Sequence, residues 1–381
     1  MRPVLTSAAV ALLSSALASA PPQENAGRAK AAYARAVELE SQGNYPAALS
    51  LLWEAAGLTP KDADVQQRLG EALERIGALE AAADAYKAAL AARPASRKSS
   101  TSLIVALAKA GRGAEAVARA RALADASPSD PDAYFVLGLA QSEHDVTDAL
   151  ANFQKALSLA PRHTLARYNL ALVLRRLDRL PDAMRELERT IATEPRPQAH
   201  YTLGVIYWHE GDAARAAQSL RAAVAQEPGY ADAHYTLGAV LKSQRDWAGA
   251  AASLRRAIAL RPDAASHYTL AQVLAASGDD AGSRAHLDEA ERLRRQTELE
   301  REALTWTSVG IQKLHAGDAA GALEEFRRAT RVFEPYAPAH YQMGLALDRL
   351  GRGDEAQAAF ARARALNPSL VSPRDTPRSP K

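Results

Sequence analysis

Pro60, Pro94, Pro128, Pro161, Pro195, Pro228 and Pro262 stand 34, 34, 33, 34, 33 and 34 residues apart. A period in this range describes a chain built by stacking copies of one small supersecondary unit, not by wrapping one core. Each proline closes a stretch such as "AAADAYKAALAARP" or "AAASLRRAIALRP". Proline cannot continue a helix and biases its predecessor away from helical angles, so each one marks a helix end. About seventeen residues before most of these prolines comes a turn signal: Gly43, Gly77, Gly111 and Gly211, with Asp178 and Arg245 substituting. The unit reads as helix, turn, helix, proline turn. Alanine, the best helix former, dominates every stretch, and β-branched clusters are scarce, so the chain is expected to be all-α.

Ten such units follow one another over residues 29–62, 63–96, 97–130, 131–163, 164–196, 197–230, 231–263, 264–297, 303–336 and 337–370. Small residues recur in the first helix at Ala36, Gly70, Gly138, Ala171, Gly204, Gly238, Ala271, Gly310 and Gly344. In the second helix Ala48, Ala82, Ala116, Ala149, Ala183, Ala216 and Ala250 do the same. The chain resembles the tetratricopeptide repeat family, which places small residues where its two helices touch. The resemblance implies a right-handed superhelical α-solenoid of antiparallel helix pairs, with the first helices lining a concave groove. Two departures stand out. The third unit carries Ile104 at the small position and opens on the polar run "SRKSSTS", so its first helix is expected to be short. Between the eighth and ninth units the proline is missing and residues 298–302 are extra, so that helix should run long.

The resemblance puts the fifth residue of each unit on the concave side. It is aromatic without interruption from Phe135 through Tyr168, Tyr201, Tyr235 and Tyr268. The next residue supplies a polar ladder, Asn169, Thr202, Thr236 and Thr269, and Arg175, Arg176, Trp208, His209 and Lys242 follow late in the same helices. Tyrosine offers rigid apolar area with a polar tip, so an extended polypeptide is the expected ligand; stacking on a polysaccharide would use the same surface. The tyrosines can equally serve inter-helix packing, and the two roles can coexist.

His200, His234, His267 and His340 recur beside the tyrosines. Equivalent residues of consecutive pairs lie about 20 Å apart, too far to share an ion, so they read as packing positions and no metal or other cofactor is expected. The chain contains no cysteine, which excludes disulfides, thiolate nucleophiles and c-type haem attachment. It lacks a phosphate-binding glycine loop, a zinc-protease motif and a nucleophile elbow, and is read as non-catalytic. Forty-seven basic against forty-four acidic residues leave a net charge of +3, close to balanced, which does not by itself imply nucleic acid, and a protein or peptide partner is expected instead. Lys98 and Lys109 lack the neighbouring asparagines of a carboxylate clamp.

Arg2, the apolar stretch from Val4 to Leu17 and the small residues Ala18-Ser19-Ala20 have the layout of a secretory signal peptide over residues 1–20, followed by a linker at 21–28. Cleavage is expected near residues 18–20, with Ala16-Leu17-Ala18 as the alternative to a site blocked by Pro21, which leads to the periplasm or the exterior. No second apolar segment of spanning length follows. After the last unit, residues 371–381 are Pro-rich and expected to be disordered; with no capping helix, the C-terminal repeat is a possible surface for self-association.

Overall fold

The computed structural model describes residues 22–367 and residue 370, so the leader and the tail read from the sequence lie outside the described residues. The chain divides into two compact bodies, one ending at Gln226 and one beginning at Glu227. The first holds α1 (Pro22–Ser41), α2 (Tyr45–Leu58), α3 (Ala63–Arg75), α4 (Leu79–Ala92), α5 (Arg97–Lys109) and α6 (Gly113–Ala126). It continues with α7 (Pro131–Gln141), α8 (Val146–Leu159), α9 (Thr164–Arg176), α10 (Leu180–Thr193), α11 (Pro197–His209) and α12 (Ala213–Gln226). The second holds α13 (Ala231–Ser243), α14 (Trp247–Leu260), α15 (Ala264–Ala276), α16 (Asp280–His315), α17 (Ala319–Val332), α18 (Ala337–Arg349) and α19 (Gly353–Leu366). Among the described residues no strand occurs, and the fold is an α-solenoid.

The turn between paired helices is set by one left-handed residue followed by a cap. Gly77 has φ 77° and Gly211 φ 80°, and the two substitutes, Asp178 and Arg245, adopt the same region at 58° and 60°. A side chain there costs about 1–2 kcal/mol, which explains why glycine predominates. Where the residue after the turn is aspartate it caps the second helix: Asp246 accepts from the Gly249 amide at 2.9 Å and Asp279 from the Gly282 amide at 2.9 Å. Such caps each contribute about 1 kcal/mol.

Inside each pair, size at one position of the first helix is matched by size sixteen or so residues later. A Cβ added to Gly138 would lie 2.7 Å from the Phe153 ring, and one added to Gly344 2.6 Å from the Phe360 ring. Where alanine replaces glycine, as at Ala36 and Ala171, the opposing position holds the smaller Leu52 and Leu187. The third repeat inverts the arrangement. Ile104 is 1% exposed and the opposing residue, Ala120, is fully buried, so bulk has moved from the second helix to the first. Contrary to expectation, α5 is not shortened: it has thirteen residues, as α3 and α9 do. The polar run supplies its own start, because Ser96 accepts from the Ser99 amide at 3.2 Å and the two hydroxyls meet at 2.8 Å.

The missing proline has a larger consequence. α16 runs unbroken for 36 residues through Arg295, a length of about 54 Å at 1.5 Å per residue. Its first half pairs with α15 and its second half with α17. A straight helix cannot fold back on itself, so the first helix of the ninth repeat continues past the eighth instead of lying against it. The last two pairs accordingly close apolar clusters of their own, around Leu314, Phe326, Leu347 and Phe360 and around Ala303, Ala329 and Ala339.

Candidate functional site

In the first body, α9 and α11 carry the expected groove residues. Tyr168 and Tyr201 are half-buried, with part of each ring facing solvent. Thr202 is buried and its hydroxyl donates to the Gln198 carbonyl at 2.8 Å. Its oxygen lies 3.4 Å from the Tyr168 hydroxyl, which joins the two repeats. The Asn169 amide donates to the Leu165 carbonyl at 2.8 Å. The polar ladder therefore spends donors on its own helices.

The basic residues separate into two groups. Arg176 donates to the Ser142 carbonyl and, at 3.4 Å, to the Glu143 carbonyl, which satisfies groups left over at the end of α7. Arg349 does the same for the Leu314 carbonyl at 2.6 Å. The expected groove contact at Arg176 is thus engaged in joining neighbouring repeats. Arg175 and His209, by contrast, line an open pocket of about 400 Å³ together with Asp178, Leu180, Val205, Ile206 and Glu210. Asp178 and Glu210 were not legible as site residues, because each sits at a turn where the repeat pattern already accounts for it. Trp208 is half-buried near the end of α11.

In the second body, Tyr235 is half-buried and Tyr268 is 51% exposed, the most open of the tyrosines at this position. Thr236 donates to the Asp232 carbonyl at 2.8 Å, and Thr269 is buried. The Lys242 ammonium donates to Gln272 Oε1 at 2.7 Å, bridging α13 to α15.

A second polar cluster lies on the second and third repeats. Lys98 pairs with Glu71 at 2.7 Å and Lys109 with Glu74 at 2.6 Å, so both lysines already face carboxylates of the chain itself. Burial would raise the Glu71 carboxyl, but the Gln67 amide and Lys98 outweigh it and hold the group below its ordinary range. The Tyr86 hydroxyl donates to Glu74 at 3.1 Å; burial, and then the Glu74 charge, push it well above the usual tyrosine range.

Two of the recurrent histidines fasten loops. His234 Nε2 lies 3.2 Å from the Pro228 carbonyl and His340 Nε2 2.8 Å from the Glu334 carbonyl. Gln66 Nε2, at the same position, donates to the Pro60 carbonyl at 3.2 Å, and Arg167 reaches the Pro161 carbonyl. In these four repeats the fourth residue thus ties the preceding loop to the helix that follows it. His267 differs, with Nδ1 3.0 Å from Nδ1 of His286, so one ring must donate and the other accept.

Burial, then His267 and Arg255, hold His286 below the ordinary histidine range, against the weaker pull of Asp279 and Glu289. Burial lowers His200 and His234 as well. A histidine held neutral in the fold but free to protonate when unfolded contributes stability that is complete above about pH 6.5 and is lost as the pH falls. The melting temperature is therefore expected to fall between about pH 7.5 and pH 5 by thermal denaturation, with a shallower fall in His286→Asn. An equal slope in that variant would remove the histidine pair as a cause.

Comparison with known families completes the description. Tetratricopeptide repeat models match residues 33–97, 102–143 and 182–231, residues 140–205 and 207–268, and residues 337–370. The chain belongs to the tetratricopeptide repeat family. Among solved structures, a tetratricopeptide repeat protein from Parabacteroides merdae is similar at 16% identity and a TM-score of 0.48, over 70% of this chain and 99% of that one. A tetratricopeptide repeat protein of Thermus thermophilus shows 22% identity and a TM-score of 0.44, over 47% of this chain and 99% of that one. YrrB, described as a tetratricopeptide repeat protein with an unusual peptide-binding site, shows 19% identity and 0.42, over 46% and 91%. No curated protein matches the chain.

Proposed function

We propose that this tetratricopeptide repeat protein is a non-catalytic protein-interaction scaffold that binds an extended polypeptide along the first helices of its repeats. The observation that carries the reading is the persistence of partly open tyrosines at one repeat position, Tyr168 and Tyr201 in the first body and Tyr235 and Tyr268 in the second. Half-buried rings offer apolar area at little entropic cost, and their hydroxyls can bond a peptide main chain. The pocket between Arg175 and His209 offers one cation and two carboxylates, Asp178 and Glu210, for a polar side chain of the ligand.

The test is capture on a peptide array by the intact chain and by Tyr168→Ala/Tyr201→Ala, with melting temperature measured alongside. Each ring is expected to contribute about 1–2 kcal/mol to binding, so the double variant should lose binding about thirtyfold or more. Retained binding with a lowered melting temperature would assign the rings to packing instead. Glycan-array binding without peptide capture would replace the polypeptide by a polysaccharide.

We also propose export, on the signal-like pattern from Arg2 to Ala20. Among the described residues no helix is long and apolar enough to cross a membrane. Mass spectrometry of the mature N-terminus checks this reading, and an intact Met1 on the accumulated protein would oppose it.

A further inference from the structure

The fused helix leaves two half-interfaces open on one face of one rod. In the second to eighth and the tenth repeats the third residue is buried, as at Val65, Ser99, Ala166, Ala199, Ser266 and Ala339, whereas in the first, with no preceding repeat among the described residues, Ala31 is exposed. In the ninth repeat that residue is Thr305, and it is exposed. The tenth residue, buried at Ala72, Ala106, Val173, Val273 and Ala346, is the exposed Gln312 in the ninth. These are the positions by which a first helix leans on its predecessor, and α16 carries them past any predecessor.

The eighth repeat shows the matching deficit. The second-helix core position, at most 2% exposed at Tyr86, Phe153, Leu254, Phe326 and Phe360, is 40% exposed at Leu287. In the tenth repeat, by contrast, Tyr341 meets Phe360 edge-on at 5.5 Å between centroids, and the core position is closed within the pair.

Leu287, Glu291, Arg294, Glu298, Arg301 and Thr305 are all exposed, and helical periodicity places them on one stripe of α16. Their charges read minus, plus, minus, plus and are symmetric about the level of residue 296. Laid antiparallel on a second copy about that level, Glu291 meets Arg301, Arg294 meets Glu298, and Leu287 meets Thr305. In the same arrangement the open face of each ninth repeat covers the open face of the other copy's eighth. This restores, between two chains, the antiparallel contact that successive repeats make within one.

We propose that the chain forms a two-fold dimer in which the stripe of α16 pairs antiparallel with the same stripe of a second copy, each supplying the repeat that the other lacks. A two-fold interface uses the same patch on both copies, so one self-complementary stripe is enough to close the dimer. Within one copy the stripe holds an Arg294–Glu298 ion pair at 3.8 Å, loose enough to be exchanged for the cross-copy pairing.

The absence of cysteine makes the test direct. Leu287→Cys and Thr305→Cys lie 18 residues apart on one rigid helix, about 27 Å, so neither two such sites within a chain nor two like sites across the dyad can bridge. Full-length chains carrying the single substitutions are mixed under mild oxidation. A disulfide-linked heterodimer is expected from the mixture and from neither variant alone. Sedimentation velocity of the unmodified chain should give a dimer, Glu291→Arg a monomer with unchanged helicity, and Glu291→Arg/Arg301→Glu a dimer again. A monomeric unmodified chain, or a mixture that links no better than the single variants, overturns the proposal.

Discussion

Phe153→Ala is expected to destabilise the fourth repeat by about 3–5 kcal/mol, the cost of truncating a fully buried aromatic and leaving a cavity. The ring is fully buried, lies against Gly138, and has Phe135 at 6.0 Å between centroids. Nothing in a helix pair can collapse to fill it. Gly138→Ala is expected to destabilise for the opposite reason, since its Cβ would stand 2.7 Å from the same ring. The informative variant is the double Gly138→Ala/Phe153→Leu. Ala36 with Leu52 and Ala171 with Leu187 show that alanine and leucine are compatible at these positions. The double is therefore expected to be more stable than the Gly138→Ala single, a departure from additivity read by denaturant unfolding or by hydrogen exchange of α7 and α8. Additive losses would mean that the two positions are not matched in size.

Arg295→Pro is expected to cost the second body about 3 kcal/mol, the penalty of proline inside a helix. Position 295 is where the missing proline would fall, one period after Pro262. In a regular repeat the same residue ends a helix harmlessly, but here it would interrupt α16 at its middle. Hydrogen exchange is the appropriate readout, because a stacked array opens locally and lacks a single unfolding free energy. Protection should fall across α16 and in the helices that lean on its two halves, while α1 to α12 keep theirs. Unchanged protection around residue 295 would show that α16 is hinged there in solution.

Much of this architecture was legible because repetition averages out local ambiguity. One alanine-rich segment says little, but the same spacing of small residues, turns and prolines through successive repeats leaves few alternatives to paired helices. The substitution of Asp178 and Arg245 for glycine was readable from the period alone, and both residues adopt the left-handed turn. The third repeat shows where such reading fails. Ile104 looked like a fault in the small-residue row, because a one-dimensional pattern does not reveal that Ala120 stands opposite and compensates.

The site was less legible than the fold. The repeat period showed that Tyr168, Tyr201, Tyr235 and Tyr268 occupy one position of successive repeats. It could not tell that Asn169, Thr202 and Thr236 bond carbonyls of their own helices, or that Arg176 fastens a neighbouring turn. Those outcomes depend on distances of about 3 Å between atoms that the linear pattern only places within reach. Helix, turn and pairing follow from local rules of backbone geometry and small-residue spacing, which act within some thirty-four residues and are written into the chain. Burial depends on which repeat covers which. Covering is a property of three-dimensional stacking, and here one unbroken helix exposes Leu287 and Thr305 although the repeat pattern alone would have buried both.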